Sequence, residues 1–255
     1  MSHKITLHTL PYYKADLDPV PARDRSFFLL VTGLANELQM LNRTLAVIVG
    51  SLPDEDCRIA NQGSSAYGML IARLLAGRLC EGWKILSHFS KPLKAEYEPE
   101  MEPEGRRALQ EIRAYFNPKR GQECLIWKVR DHIAFHSLSE TVEAAYALFE
   151  PTDDLGDYLA PTFGNTLYYT TELLQYRALQ HLSGADDHTA ALDRLITDTQ
   201  RMTSAFNTAI YAFAGVFFKR FLPIPLSNLM AEAETIDVPS FEDQCLTFFS
   251  ELPVS

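Results

Sequence analysis

The spacing of apolar residues between positions 24 and 50 constrains this chain most. In SFFLLVTGLANELQMLNRTLAVIVG they fall at 27, 30, 31, 34, 38, 41, 45 and 48, which lines one face of an α-helix. Asp24 reads as its N-cap and Gly50 as its stop, with Pro53 beyond. Ser51 to Ala60 reads as a polar connection. The same period returns over about 65–89, where Gly68, Gly77 and Gly82 mark close approach to a neighbouring helix and Pro92 ends the run. KPLKAEYEPEMEPEG reads as a charged loop, 106–116 as a short helix, and NPKRG as a turn. A helix over about 123–149 follows, stopped by Pro151.

Beyond Pro161, TFGNTLYYTTELLQYRALQHL is helical in pattern and SGADD is a turn. A long aromatic-rich helix, 190–221, is closed by Pro223 and Pro225. Residues 1–21, with Pro11, Pro19 and Pro21, and residues 223–255 read as arms, the latter with one short helix at 241–249. Tyr12 and Tyr13 are expected to lie against the body. No β-alternation of useful length is present, so the expected class is all-α. The expected core includes Phe28, Leu34, Leu38, Leu41, Leu70, Leu74, Ile85, Ile126, Ile133 and Leu148.

A chain of 255 residues with 47% hydrophobic and 22% charged residues can bury a sizeable core. Two helices alone, 161–222, make a poor independent core, so one domain spanning 1–255 is expected. The formal net charge of -10 argues against broad, non-specific nucleic-acid binding, though a local basic cleft remains compatible with it. Cysteines 57, 80, 124 and 245 are scattered without zinc-like spacing, which fits free thiols in a reducing cytoplasm. Neither a signal peptide nor a membrane-spanning run is legible, so a cytoplasmic protein without membrane partners is expected.

Val129-Arg130-Asp131-His132-Ile133-Ala134-Phe135-His136 concentrates the chemistry. Desolvating an Arg, an Asp and two His beside Ile133 and Phe135 is costly unless they pair or serve a ligand. In a straight helix Arg130 and His136 stand about 120° apart and about 9 Å along the axis. They can still converge on one phosphate, or meet the same residues of a second copy. His132 and His136 share a face at i and i+4, a spacing that chelates metal when a third ligand is present. No HExxH, GxSxG, GxGxxG or ExxH pattern accompanies them.

These residue types suit RNA cleavage without a metal. A neutral His accepts the ribose 2′-OH proton, and a fixed guanidinium stabilises charge on the phosphate. The run RDHIAFH, an Arg, a polar residue and a later His in a helical bundle, resembles the motif of the HEPN superfamily. That resemblance covers chiefly 24–150. It implies an antiparallel helical bundle extended by the C-terminal helices of 161–222, and usually a homodimer that brings two motif copies together. It also implies a metal-independent endoribonuclease of a toxin or phage-defence type, needing no cofactor, with an RNA substrate and an antitoxin or other protein partner. By the resemblance Arg130, Asp131 and His136 fill the catalytic positions; His132 and Glu81 are accessory at most.

Alternative roles stand beside these. Arg130 is equally suited to an ion pair with Asp131 or Glu81, and His136 to a core position, which would leave a non-catalytic helical binding or regulatory module. Trp83 reads as core. Tyr168-Tyr169 and the aromatics Tyr211, Phe213, Phe217 and Phe218 read as packing before base stacking. Asn165 reads as a first-turn helix residue.

Overall fold

A computed structural model describes residues 2–50, 57–117, 124–134, 139–162, 164–222 and 233–250. Helices dominate: α1 (Ala22–Gly50), α2 (Arg58–His88), α3 (Pro103–Tyr115), α4 (Leu125–Val129), α5 (Ser139–Tyr146), α6 (Tyr169–Ser183) and α7 (His188–Phe221). The all-α expectation therefore holds, with one addition. Strands β1 (Ser2–His8) and β2 (Ala233–Pro239) pair antiparallel, in a register that sets Ile5 against Ile236 and Lys4 against Asp237.

The chain divides into two compact units. The first comprises Met1–Glu37, Glu81–Ala114 and Ser204–Gln244. Its interior is aromatic. Phe27 stacks on Phe89 at 3.8 Å between centroids, and Phe28 stacks on Phe217 at 4.2 Å. Phe213 meets Phe27 edge-on. Offset and edge-on pairs of this kind add about 0.5–1.5 kcal/mol beyond the area they bury. Tyr12 leans on Phe218 as expected, whereas Tyr13 is exposed.

Asp24 is not an N-cap. The helix begins two residues earlier, and the Asp24 carboxylate is 2% exposed. A buried carboxylate requires donors, and it has them: the Tyr97 hydroxyl at 2.5 Å and the adjacent Arg23 guanidinium at 3.1 Å. Tyr97 arrives on a segment expected to be loop. That segment is instead three consecutive turns: α-helical Ser90–Pro92, π-helical Leu93–Tyr97 and 3₁₀ Glu98–Glu100. Its acidic residues are used as anchors. Glu96 pairs with Arg23, Glu98 with Arg113 and Glu100 with Arg220, whose guanidinium also lies 4.6 Å from the Tyr97 ring centroid.

The second unit comprises Leu38–Cys80, Tyr115–Thr203 and Cys245–Ser255. Leu38, Leu45 and Ile48 of α1, Met69, Leu75 and Leu79 of α2, and Leu179 and Leu195 of α6 and α7 are buried here. Among the expected core residues, Phe28, Leu34, Leu38, Ile126 and Ile133 are buried. Leu41, Leu74 and Ile85 are half-buried, and Leu70 and Leu148 are exposed. The error on α2 is one of phase. The run GMLIARLLAGRL carries apolar residues on several sides, and Met69, Leu75 and Leu79 face inward instead of Leu70 and Leu74.

The expected helix over 123–149 is not α-helical throughout: α4 passes into a π-helical turn at Arg130–Ala134, and α5 spans Ser139–Tyr146, with 135–138 outside the described residues. The stretch after Pro161 is also corrected, because α6 starts only at Tyr169, after an isolated bridge between Tyr158 and Leu167. Asn165 accordingly sits in a loop and exchanges two hydrogen bonds with Ser250. The expected helix at 241–249 contracts to a 3₁₀ turn, Phe241–Asp243.

Two glycines separate close packing from propensity. A Cβ at Gly105 of α3 would lie well inside van der Waals contact with the Ala212 methyl of α7, and Gly33 of α1 faces open space. Gly105→Ala is expected to destabilise the protein by about 1–3 kcal/mol through overpacking. Gly33→Ala is expected to stabilise it by up to about 1 kcal/mol. Denaturant unfolding of the two variants should show shifts of opposite sign.

Candidate functional site

The motif segment is amphipathic at close range. Leu125, Ile126, Val129 and Ile133 are each 5% exposed or less, while Arg130, Asp131 and His132 are only half-buried. Burying each of those four aliphatic side chains contributes about 1.5–3 kcal/mol before entropy is counted. Their positions therefore fix which way the segment is rotated. Cys124 occupies the N-cap position of α4, and the Ile126 amide donates to the Tyr115 hydroxyl at 3.5 Å. At the other end of the same turn, Lys128 Nζ donates to the Leu182 carbonyl at 3.1 Å.

Arg130 and Asp131 are brought together. Arg130 Nη1 donates to Asp131 Oδ1 at 2.6 Å, with the side chains 22% and 34% exposed. Neighbouring residues on an α-helix diverge by about 100°. Here the pair opens the π-helical turn Arg130–Ala134, a departure from α geometry that recurs at functional sites.

His132 is held on the adjacent side. Thr141 Oγ1 of α5 lies 3.4 Å from its Nδ1. Next to the ring is a small cavity of about 10 Å³, lined by His132, Thr141, Leu174 and Gln175 among others. That is close to the space one water occupies, and the buried Gln175 Oε1 has no hydrogen-bond partner.

His136 lies outside the described residues, so the convergence of His136 with Arg130, and the His132–His136 pair as metal ligands, have no geometry to report. Glu81 belongs to the first unit, where it pairs with Lys84 at 2.8 Å. Trp83 is half-buried rather than core. Among the described residues no group of three His, Cys, Asp or Glu is placed to hold a metal ion. No helix among them is long and apolar enough to cross a membrane.

One constellation had no counterpart in the sequence reading. Tyr115, at the end of α3, donates to Asp198 Oδ2 of α7 at 2.8 Å, and the Arg201 guanidinium covers its ring at 5.3 Å. Burial, reinforced by Asp198, pushes the Tyr115 phenol far above its ordinary value. Burial also raises the Cys124 thiol, with Asp198 adding to the shift. Cys124 is therefore protonated at neutral pH and is no activated nucleophile. Tyr115 and Asp198 are 83 positions apart, and only tertiary packing unites them.

No protein-family model, no curated protein and no solved structure matches this chain.

Tyr115→Phe removes the hydrogen bond to Asp198 and is expected to cost about 1–2 kcal/mol at neutral pH. Because the folded phenol titrates above its unfolded value, its contribution is complete below about pH 10 and declines as pH rises further. The stability gap between wild type and Tyr115→Phe should therefore narrow above pH 10 in urea titrations at stepped pH.

Proposed function

We propose that the protein is a HEPN-like, metal-independent endoribonuclease of a toxin or phage-defence type, built around Arg130, Asp131 and His136. The supporting observation is the Arg130–Asp131 pair at the opening of a π-helical turn, half-exposed on a segment whose opposite side is buried. A guanidinium oriented by a neighbouring carboxylate offers a directed donor fork to a phosphate. A phosphate that binds there displaces part of the carboxylate's hold.

Neutral His136 would take the proton of the ribose 2′-OH. The resulting oxyanion attacks the adjacent phosphorus, the P–O5′ bond breaks, and the departing 5′-oxygen takes its proton from solvent water, which gives a 2′,3′-cyclic phosphate and a 5′-hydroxyl. Arg130 neutralises the charge that develops on the non-bridging oxygens. Asp131 orients Arg130, and His132, held by Thr141, is an accessory contact. A homodimer would set two such segments against one RNA strand, with an antitoxin or other protein partner restraining the activity.

A second reading has its own support. Asp131 already neutralises Arg130, and the net charge of -10 is unlike most RNA-handling surfaces. Both features suit a non-catalytic binding or regulatory module.

Cleavage of a broad RNA panel in the presence of EDTA decides between them. The nuclease reading expects undiminished cutting in EDTA and a loss of about 10²–10⁴-fold in rate for His136→Ala, at nearly unchanged melting temperature. Arg130→Lys, which keeps the charge and loses the fork, should also be impaired. A wild type that cuts no RNA in the panel, or a His136→Ala variant that unfolds, would hand the case to the binding module.

A further inference from the structure

A cavity of about 180 Å³ in the second unit lies apart from the residues invoked above. The connection from α5 to α6 covers it and is firmly pinned. Tyr158 and Leu167 exchange two backbone hydrogen bonds of 2.8 Å. Asp153 pairs with Arg177 of α6, and Asp154 with Arg58 of α2. The Tyr158 hydroxyl donates to the Gln62 carboxamide oxygen of α2.

The walls are flat and aromatic: Phe149, with the Arg177 guanidinium 5.7 Å from its ring centroid, Tyr169 and Tyr176. His188 meets Tyr176 edge-on at 6.2 Å. Polar groups sit among these faces. Gln62 lines the cavity with its carboxamide oxygen already accepting from Tyr158, and the Tyr176 hydroxyl is buried without a hydrogen bond of good geometry, the Ser65 side chain lying within its reach. Buried hydroxyls left in that state are uncommon in native proteins.

Charge narrows the occupant. The two carboxylates at the cavity, Asp153 and Asp154, are each matched by a guanidinium, so there is no surplus anion to hold an organic cation. Arg177 is spent on Asp153, so there is no surplus cation to hold a phosphate. Size narrows it further, since a cavity of about 150 Å³ accommodates one benzene ring. A neutral planar ring with hydrogen-bonding edges meets all three conditions.

We propose that this cavity binds a nucleobase, stacked on the Phe149–Arg177 face with its polar edge toward Gln62 and the Tyr176 hydroxyl. Base–aromatic stacking is tolerant of base identity, so the preference among bases falls to those polar groups. The base arrives either on a free nucleoside or within an RNA strand. The inference does not depend on cleavage at Arg130, because binding is read without turnover.

The test uses the full chain with the four ribonucleosides and, separately, with short ribo-oligonucleotides, read by saturation-transfer NMR and calorimetry. At least one arm is expected to show saturable binding, weakened about tenfold or more by Gln62→Leu and by Leu173→Trp, which fills the cavity from Leu173, another residue of its lining. Binding of nucleosides and not oligonucleotides assigns the site to a free small molecule; binding of oligonucleotides and not nucleosides assigns it to a strand. No saturable binding in either arm, or binding unchanged in a folded Gln62→Leu variant, overturns the proposal. Absence of RNA cleavage with binding intact would refute the nuclease reading alone.

Discussion

Burial of Leu125, Ile126, Val129 and Ile133 is the constraint on which the account of the motif depends. Once these four side chains are inside, the segment has no rotational freedom left, and Arg130, Asp131 and His132 occupy the side that remains. Their half-exposure is thus a consequence of hydrophobic burial rather than of charge. The Ile126 amide on Tyr115 and Lys128 on the Leu182 carbonyl then fix the segment along its axis. The phosphate contact proposed for Arg130 needs such support, because a misplacement of about 1 Å in a reacting geometry costs on the order of a hundredfold in rate.

In the first unit the analogous constraint is electrostatic. Asp24 is 2% exposed, and a carboxylate at that depth requires hydrogen-bonding partners. Arg23 and Tyr97 are those partners, and burial together with Asp24 raises the Tyr97 phenol well above its ordinary value. Tyr97 closes the π turn Leu93–Tyr97 and bonds Asp24 from there. The acidic run Glu96, Glu98 and Glu100 then closes onto arginines of three different helices, Arg23, Arg113 and Arg220. A stretch that looks solvated in sequence is in fact a set of anchors.

That contrast shows which features were legible before the structure. Apolar period defined α1 and α7 to within two residues, because a long stripe on one face admits few alternatives. Where leucines crowd several faces, as between Leu70 and Leu79, period gave the helix but not its rotation. The β1–β2 ribbon was missed because its register joins Ser2 to Pro239, and the alternating runs Lys4-Ile5-Thr6-Leu7-His8 and Thr235-Ile236-Asp237-Val238 are each too short to stand out alone. Arg130 and Asp131 were legible as a pair because they are adjacent. Tyr115 with Asp198, and Asp24 with Tyr97, were not, since each pair is assembled by packing across more than 70 positions. The π turn at Arg130–Ala134 leaves no local signature in RDHIA at all.

The central claim is that the Arg130–Asp131 pair serves a reaction in which the RNA supplies its own nucleophile. The termini left on cleaved RNA test it most directly, resolved by mass spectrometry after digestion in EDTA. The account predicts 5′-hydroxyl ends matched by 2′,3′-cyclic phosphates or the monophosphates derived from them. Ends bearing a 5′-phosphate and a 3′-hydroxyl would contradict it, because they require water rather than the 2′-oxygen to attack.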